Sequence, residues 1–190
     1  MANPENPRIL IATGTLCAGK TTLMSRLVSS RGFLVLGAVT TRAPRDSDFV
    51  GEYSYLTDRE FDSLNPADMM WNRRHGSPSR YTMLRSVAKI ALEDKNNIYT
   101  RPLSPHSAVE VANEFGHSTT KVIYLPTPTA DVLEKRVIQR EQSMDEFTSR
   151  IEGELSWDEY AKREPSIYMA EGCSVEDIEA EALALMRLPT

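Results

Sequence analysis

The stretch Gly14-Thr15-Leu16-Cys17-Ala18-Gly19-Lys20-Thr21 fits G-x-x-x-x-G-K-[ST], the phosphate-binding P-loop. Its glycines let the backbone curl so that successive N–H groups point inward around a phosphate, and the helix that follows adds its positive N-terminal end. In this pattern Lys20 reaches the β- and γ-phosphates of a nucleoside triphosphate, and the Thr21 hydroxyl binds Mg²⁺. Thr22 continues the first helical turn, so residues 14–22 form the candidate site for ATP. A second group of residues follows. Thr40-Thr41-Arg42-Ala43-Pro44-Arg45 puts two guanidinium forks on one rigid turn, suited to gripping an anion from two sides. Tyr53 in Gly51-Glu52-Tyr53-Ser54-Tyr55 can donate a further hydrogen bond to the same anion.

The elements that must position these groups follow from hydrophobic periodicity. Arg8 to Thr13 is a short apolar run between Pro7 and Gly14, which predicts a buried parallel strand. Leu23, Met24, Leu27 and Val28 recur at helical spacing in a segment from Gly19 to Arg31, closed by Gly32. Phe33 to Ala38 predicts a second strand. Residues 40–82 are rich in Pro, aromatics and charge with little periodicity, and read as an inserted subdomain of short strands and turns. Within it Thr57 and Glu60 form a capping box for a short helix through Leu64. The alternation then resumes with a helix bearing Leu84, Val87, Ala88, Ala91 and Leu92, and a strand from Asn97 to Leu103. A helix started by Ser104-Pro105 stops at Gly116, and a strand runs from Lys121 to Leu125. A helix from about Thr129 to Arg140, a strand at Ile167 to Met169 and a last helix capped by Ser174 and Asp177 complete the pattern. Strands alternating with helices predict a parallel α/β sheet.

Composition bounds the rest. The 190 residues carry 22 basic and 27 acidic side chains, a net charge of −5 that argues against stable nucleic-acid or anionic-membrane binding. Arg outnumbers Lys 16 to 6, in keeping with phosphate ligands. Cys17 and Cys173 form no metal-binding spacing, no apolar run approaches the length that spans a bilayer, and a soluble cytoplasmic protein is expected. The three histidines show no catalytic or metal constellation.

Taken together, the P-loop, TTRAPR, the region around Trp71 to Tyr81 and the arginine-bearing segment 136–150 resemble guanylate kinase. The resemblance implies a five-stranded parallel core over 1–39, 83–135 and 160–190, a nucleotide-monophosphate-binding insertion over 40–82 and a helical lid over 136–159. It implies that Arg42, Arg45, Tyr53 and Tyr81 hold the acceptor phosphate. It also implies that Arg136, Arg140 and Arg150 close on ATP and compensate the transferring phosphoryl group. Small nucleotides are the expected partners, and a homodimer is left open.

The resemblance stops at the base. A Ser two residues before Thr-Thr-Arg is here Ala38, a Glu before Trp is Met70, and the residues after Tyr81 are Thr82 and Met83. An Asp-x-Asp that serves base and metal aligns with Thr100-Arg101-Pro102. An apolar pocket lined by Ala38, Met70 and Met83, with Thr100 at its end, points to an acceptor other than GMP or dGMP, such as a pyrimidine or modified base. Two other readings remain open: a kinase of a sugar phosphate or of a base within DNA, and a non-catalytic guanylate-kinase-like interaction module.

Overall fold

A computed structural model describes residues 6–46, 48–72, 78–139 and 151–189. Strand β1 (Ile9–Gly14) is buried along its whole length and pairs in parallel with β6 (Tyr99–Pro102) on one side and β7 (Thr120–Leu125) on the other. With β2 (Leu34–Val35) and β8 (Ile167–Met169) the order is β2-β6-β1-β7-β8, and every pairing is parallel. The side-chain alternation of β1 explains why its sequence is continuously apolar. Ile9 and Ile11 enter one core with Ala108, Val111 and Ala112 of α4 (Pro105–Phe115) and Ala161 of α6 (Trp157–Arg163). Leu10 and Ala12 enter the other, with Leu23 and Leu27 of α1 (Lys20–Arg31) and Leu183 of α7 (Val175–Leu185). Glu179 ties α1 to α7 by accepting from Arg26 Nε at 2.6 Å and Arg31 Nε at 2.8 Å.

The expected strand from Phe33 to Ala38 is instead two. Leu34–Val35 closes the edge of the parallel sheet, and β3 (Ala38–Thr40) opens a second sheet with β4 (Tyr53–Tyr55) and β5 (Tyr81–Thr82) in the order β4-β3-β5. The break falls at Leu36-Gly37, where the Leu36 carbonyl accepts from the Arg101 side chain rather than from a neighbouring strand. Gly37 lies so close to the Gly51 carbonyl that a Cβ would stand 3.2 Å from it. α2 (Asp58–Asp62) has the expected capping box, with the Glu60 N–H donating to Thr57 Oγ1 and the Thr57 N–H to Glu60 Oε2. α3 (Arg85–Glu93) returns the chain to the main sheet, and α5 (Ala130–Gln139) follows β7. No helix among the described residues is long and apolar enough to cross a membrane.

Candidate active site

The loop between β1 and α1 is built from constrained backbone. Gly14 has φ +143°, and a Cβ there would sit 2.5 Å from the Leu125 carbonyl oxygen, so no larger residue fits. Cys17 and Gly19 are also left-handed, at φ 62° and 104°. Gly19 precedes α1 with no side chain capping its first turn, which leaves helix N–H groups for an anion. Lys20 Nζ folds back across the loop to the carbonyls of Gly14 (2.7 Å) and Thr15 (2.6 Å). Thr15 is buried, its hydroxyl 3.1 Å from that of Thr127, and Ala18 is buried beneath the loop. Two groups from the distal half of the chain meet the same loop. Arg136 of α5 donates to the Cys17 carbonyl at 2.6 Å, and the Leu16 N–H donates to Glu154 Oε2 at 2.5 Å. Cys17 also packs with Leu133 and Val137 of α5.

Leu16, Cys17, Gly19, Lys20 and Thr21 form one wall of a cleft of about 680 Å³. Thr22 is exposed on α1 and lies outside it. The opposite wall carries Ala38, Arg42, Arg45, Tyr53 and Tyr81, all named by the sequence reading. Arg42 makes a two-pronged ion pair with Asp48, at 2.8 and 3.0 Å, and its guanidinium lies 4.9 Å from the Tyr53 ring centroid. Asp48 also accepts from the Arg45 N–H (2.8 Å) and the Tyr55 hydroxyl (2.6 Å). Burial would raise the Asp48 carboxyl, but these donors outweigh it and hold it at about 2. Burial, and then the bond to Asp48, push the Tyr55 hydroxyl up to about 12. The Tyr53 hydroxyl is raised by burial, and its ring meets that of Tyr81 edge-on at 6.3 Å.

Other predicted site residues lie elsewhere. Met83 is 0% exposed within the core, and Met70 packs against that core without lining the cleft. The methionine that does line it is Met24 of α1. Thr100 is fully buried, and the neighbouring Arg101 faces the cleft in its place. Strand alternation puts the two on opposite faces of the sheet, Thr100 with its partner Leu10 and Arg101 with Ile11. Arg140 and Arg150 fall outside the described residues. Sequence reasoning also passed over Asp48, Glu52, Trp71, Glu154 and Trp157, all in the cleft lining. Asp48 carried a usable signal, an acid three residues beyond a pair of arginines. Arg101 carried another, a charge inside an otherwise uncharged strand.

Neither a protein-family model nor a curated protein matches the sequence. Solved structures do. Guanylate kinase from Anaplasma phagocytophilum superposes with a TM-score of 0.68 at 16% identity, over 96% of this chain and 86% of that one. The fold is that of a guanylate kinase. APE1195 is also similar, with a TM-score of 0.42 at 17% identity over 96% of both chains.

The cleft can be tested for ATP and Mg²⁺ on its own chemistry. The uncapped start of α1, the Lys20 ammonium and the close-packed Gly14 turn fit a polyphosphate. For Mg²⁺ the wall offers the Thr21 hydroxyl, and among the described residues no group of three or more His, Cys, Asp or Glu side chains could hold a metal ion. A site resting on one hydroxyl, phosphate oxygens and water suits Mg²⁺, which keeps several waters when bound.

Proposed function

We propose that this chain is an ATP-dependent nucleoside monophosphate kinase that converts ATP and a (deoxy)nucleoside monophosphate to ADP and a nucleoside diphosphate. The observation that carries the reading is that one cleft has the P-loop lysine on one wall and the Arg42, Arg45, Tyr53 and Tyr81 cluster on the other. Such a pairing of two anion-binding walls suits transfer between two phosphates, a reaction catalysed by positioning and charge compensation rather than by covalent chemistry. In this reading Lys20 and the amides of the P-loop hold the β- and γ-phosphates, while Arg42, Arg45, Tyr53 and Tyr81 orient the acceptor phosphate. Thr21 would hold Mg²⁺, which when bound compensates phosphate charge. Arg136 reaches the P-loop backbone and acts on ATP from there, with Arg140 and Arg150 assigned to the same task. Residues 40–82 serve as the acceptor-binding part and 136–159 as the lid. The acceptor is not primarily GMP or dGMP.

The test is ADP release from ATP and Mg²⁺ against a panel of ribo- and deoxyribonucleoside monophosphates, with Lys20→Ala as control. Turnover of a non-guanine monophosphate, lost in the control by at least about 10²-fold, is expected. A preference for GMP would overturn the acceptor assignment. Absence of turnover across the panel would overturn the kinase assignment.

A further inference from the structure

Arg101 is a cation of the cleft lining that the phosphate-handling roles above leave unused. It stands on β6 at 3% exposure, with its guanidinium carbon 4.7 Å from the Tyr53 ring centroid. Nη1 donates to two backbone carbonyls, Leu36 at 2.7 Å and Glu52 at 2.9 Å. Nε is sealed from solvent with no partner, and no described group accepts from Nη2. No described carboxylate comes within ion-pair distance of it, whereas Arg42 on the same cleft lining is paired with Asp48. A guanidinium this deeply buried, on a residue that lines the cleft and lacks a counter-charge, is costly unless a ligand completes its hydrogen bonds.

We infer that Arg101 reads the acceptor base by donating to a keto oxygen, and that the acceptor is a diketo pyrimidine monophosphate of the uracil or thymine type. This rests on the kinase reading and adds the acceptor to it. Trp71, Ala38 and Leu103 line the same cleft, flat and apolar surfaces that suit a base ring better than a second phosphate. A diketo pyrimidine has a carbonyl on each side of its ring N–H, so either edge turned toward Arg101 presents an oxygen. Adenine has no keto oxygen, and cytosine has one on a single side of its ring, its amino group setting donor against donor on the other. Guanine has a keto oxygen but brings three N–H donors on the same edge, against the one ring N–H of a diketo pyrimidine. Of the described carboxylates lining the cleft, Asp48 is taken up by Arg42, and Glu52 and Glu154 each already accept one backbone N–H, from Phe49 and Leu16, which leaves fewer acceptors than guanine's edge calls for.

The experiment has two readouts. Calorimetric titration without ATP measures binding of dUMP, dTMP, dCMP, dAMP, dGMP and inorganic phosphate to the wild type, Arg101→Gln and Arg101→Lys, and ADP release measures turnover of the same set. Thermal melting checks folding, and the Lys variant keeps a donor for the Leu36 and Glu52 carbonyls. The expected result is tightest binding of dUMP or dTMP. Arg101→Gln should weaken it about 10- to 100-fold, leave dCMP and dAMP within about threefold and leave the ATP KM unchanged, with partial recovery in the Lys variant. Equal weakening of every monophosphate and of phosphate would overturn the inference, because Arg101 would then hold the phosphate. Tightest binding of dGMP or of an amino base would overturn it as well, as would failure of any monophosphate to bind. Keto-selective binding without ADP release would uphold Arg101 as the reader of the base and remove the kinase reading, whereas turnover without keto selectivity would do the reverse.

Discussion

Asp48→Asn tests whether the acceptor-phosphate wall is preorganised by its own ion pair. Asp48 receives both prongs of Arg42, the Arg45 N–H and the Tyr55 hydroxyl, and together they hold its carboxyl at about 2 against an ordinary 3.8. At 1.36 kcal/mol per pKa unit the lowering corresponds to roughly 2 kcal/mol, which solvent screening at the edge of the cleft reduces to about 1–2 kcal/mol. Asn keeps the size and one acceptor oxygen but loses the charge. The variant should therefore be less stable by about that amount at pH 7, a Tm lower by roughly 2–8 °C for a chain of this length. The sign with pH follows from the depressed carboxyl. Its contribution is fully present above the unfolded value near 4 and is lost as pH falls through about 2, so wild type and variant should converge over that interval. Urea unfolding of both proteins at pH 7, 4 and 2.5 measures the difference. A gap that stays constant from pH 7 to 2.5, or no gap at pH 7, would refute the account. In turnover, the freed Arg42 should raise the KM for the acceptor and leave that for ATP unchanged.

Gly14→Ala places a Cβ 2.5 Å from the Leu125 carbonyl at a φ that L-residues rarely adopt, so it should cost more than about 2 kcal/mol and abolish ATP binding, checked by melting and by nucleotide titration. Glu154→Ala removes a carboxylate that occupies the Leu16 N–H at the P-loop, so ATP affinity should rise about 3- to 10-fold with acceptor affinity unchanged, read by titration with each nucleotide. A fall in ATP affinity would mean that Glu154 supports the loop instead of competing for it.

The parts of the fold that were legible in the sequence are those fixed by neighbours in the chain. The P-loop is a local backbone device, and the boundaries of α1, α4 and α7 follow from Gly32, from Ser104 with Pro105 and Gly116, and from Ser174 with Asp177. Each is decided within four or five residues, which a linear reading can see. The split of Phe33–Ala38 into β2 and β3 was not legible, because the group that takes the Leu36 carbonyl is a side chain 65 residues away. The burial of Met83 was hidden for a similar reason: its place in the core depends on how β5 hands the chain to α3, which residues 40–82 do not announce by periodicity.

The candidate site divides along the same line. Lys20, Arg42, Arg45, Tyr53 and Tyr81 could be found because short motifs announce anion chemistry, and the cleft does gather them. The residues facing the rest of an acceptor depend on strand phase, and phase is invisible in a strand that is buried on both faces. Along β6 the choice lay between Thr100 and Arg101: alternation puts them on opposite faces, Arg101 on the face of its partner Ile11 and Thr100 on that of Leu10, and it is Arg101 that lines the cleft. That single step reverses the polarity of the site. With Thr100 in the cleft, a weak hydroxyl would face the acceptor and the pocket would select by shape. With Arg101 there, a fixed cation faces it, and selection falls to whichever acceptor brings an oxygen to complete the guanidinium.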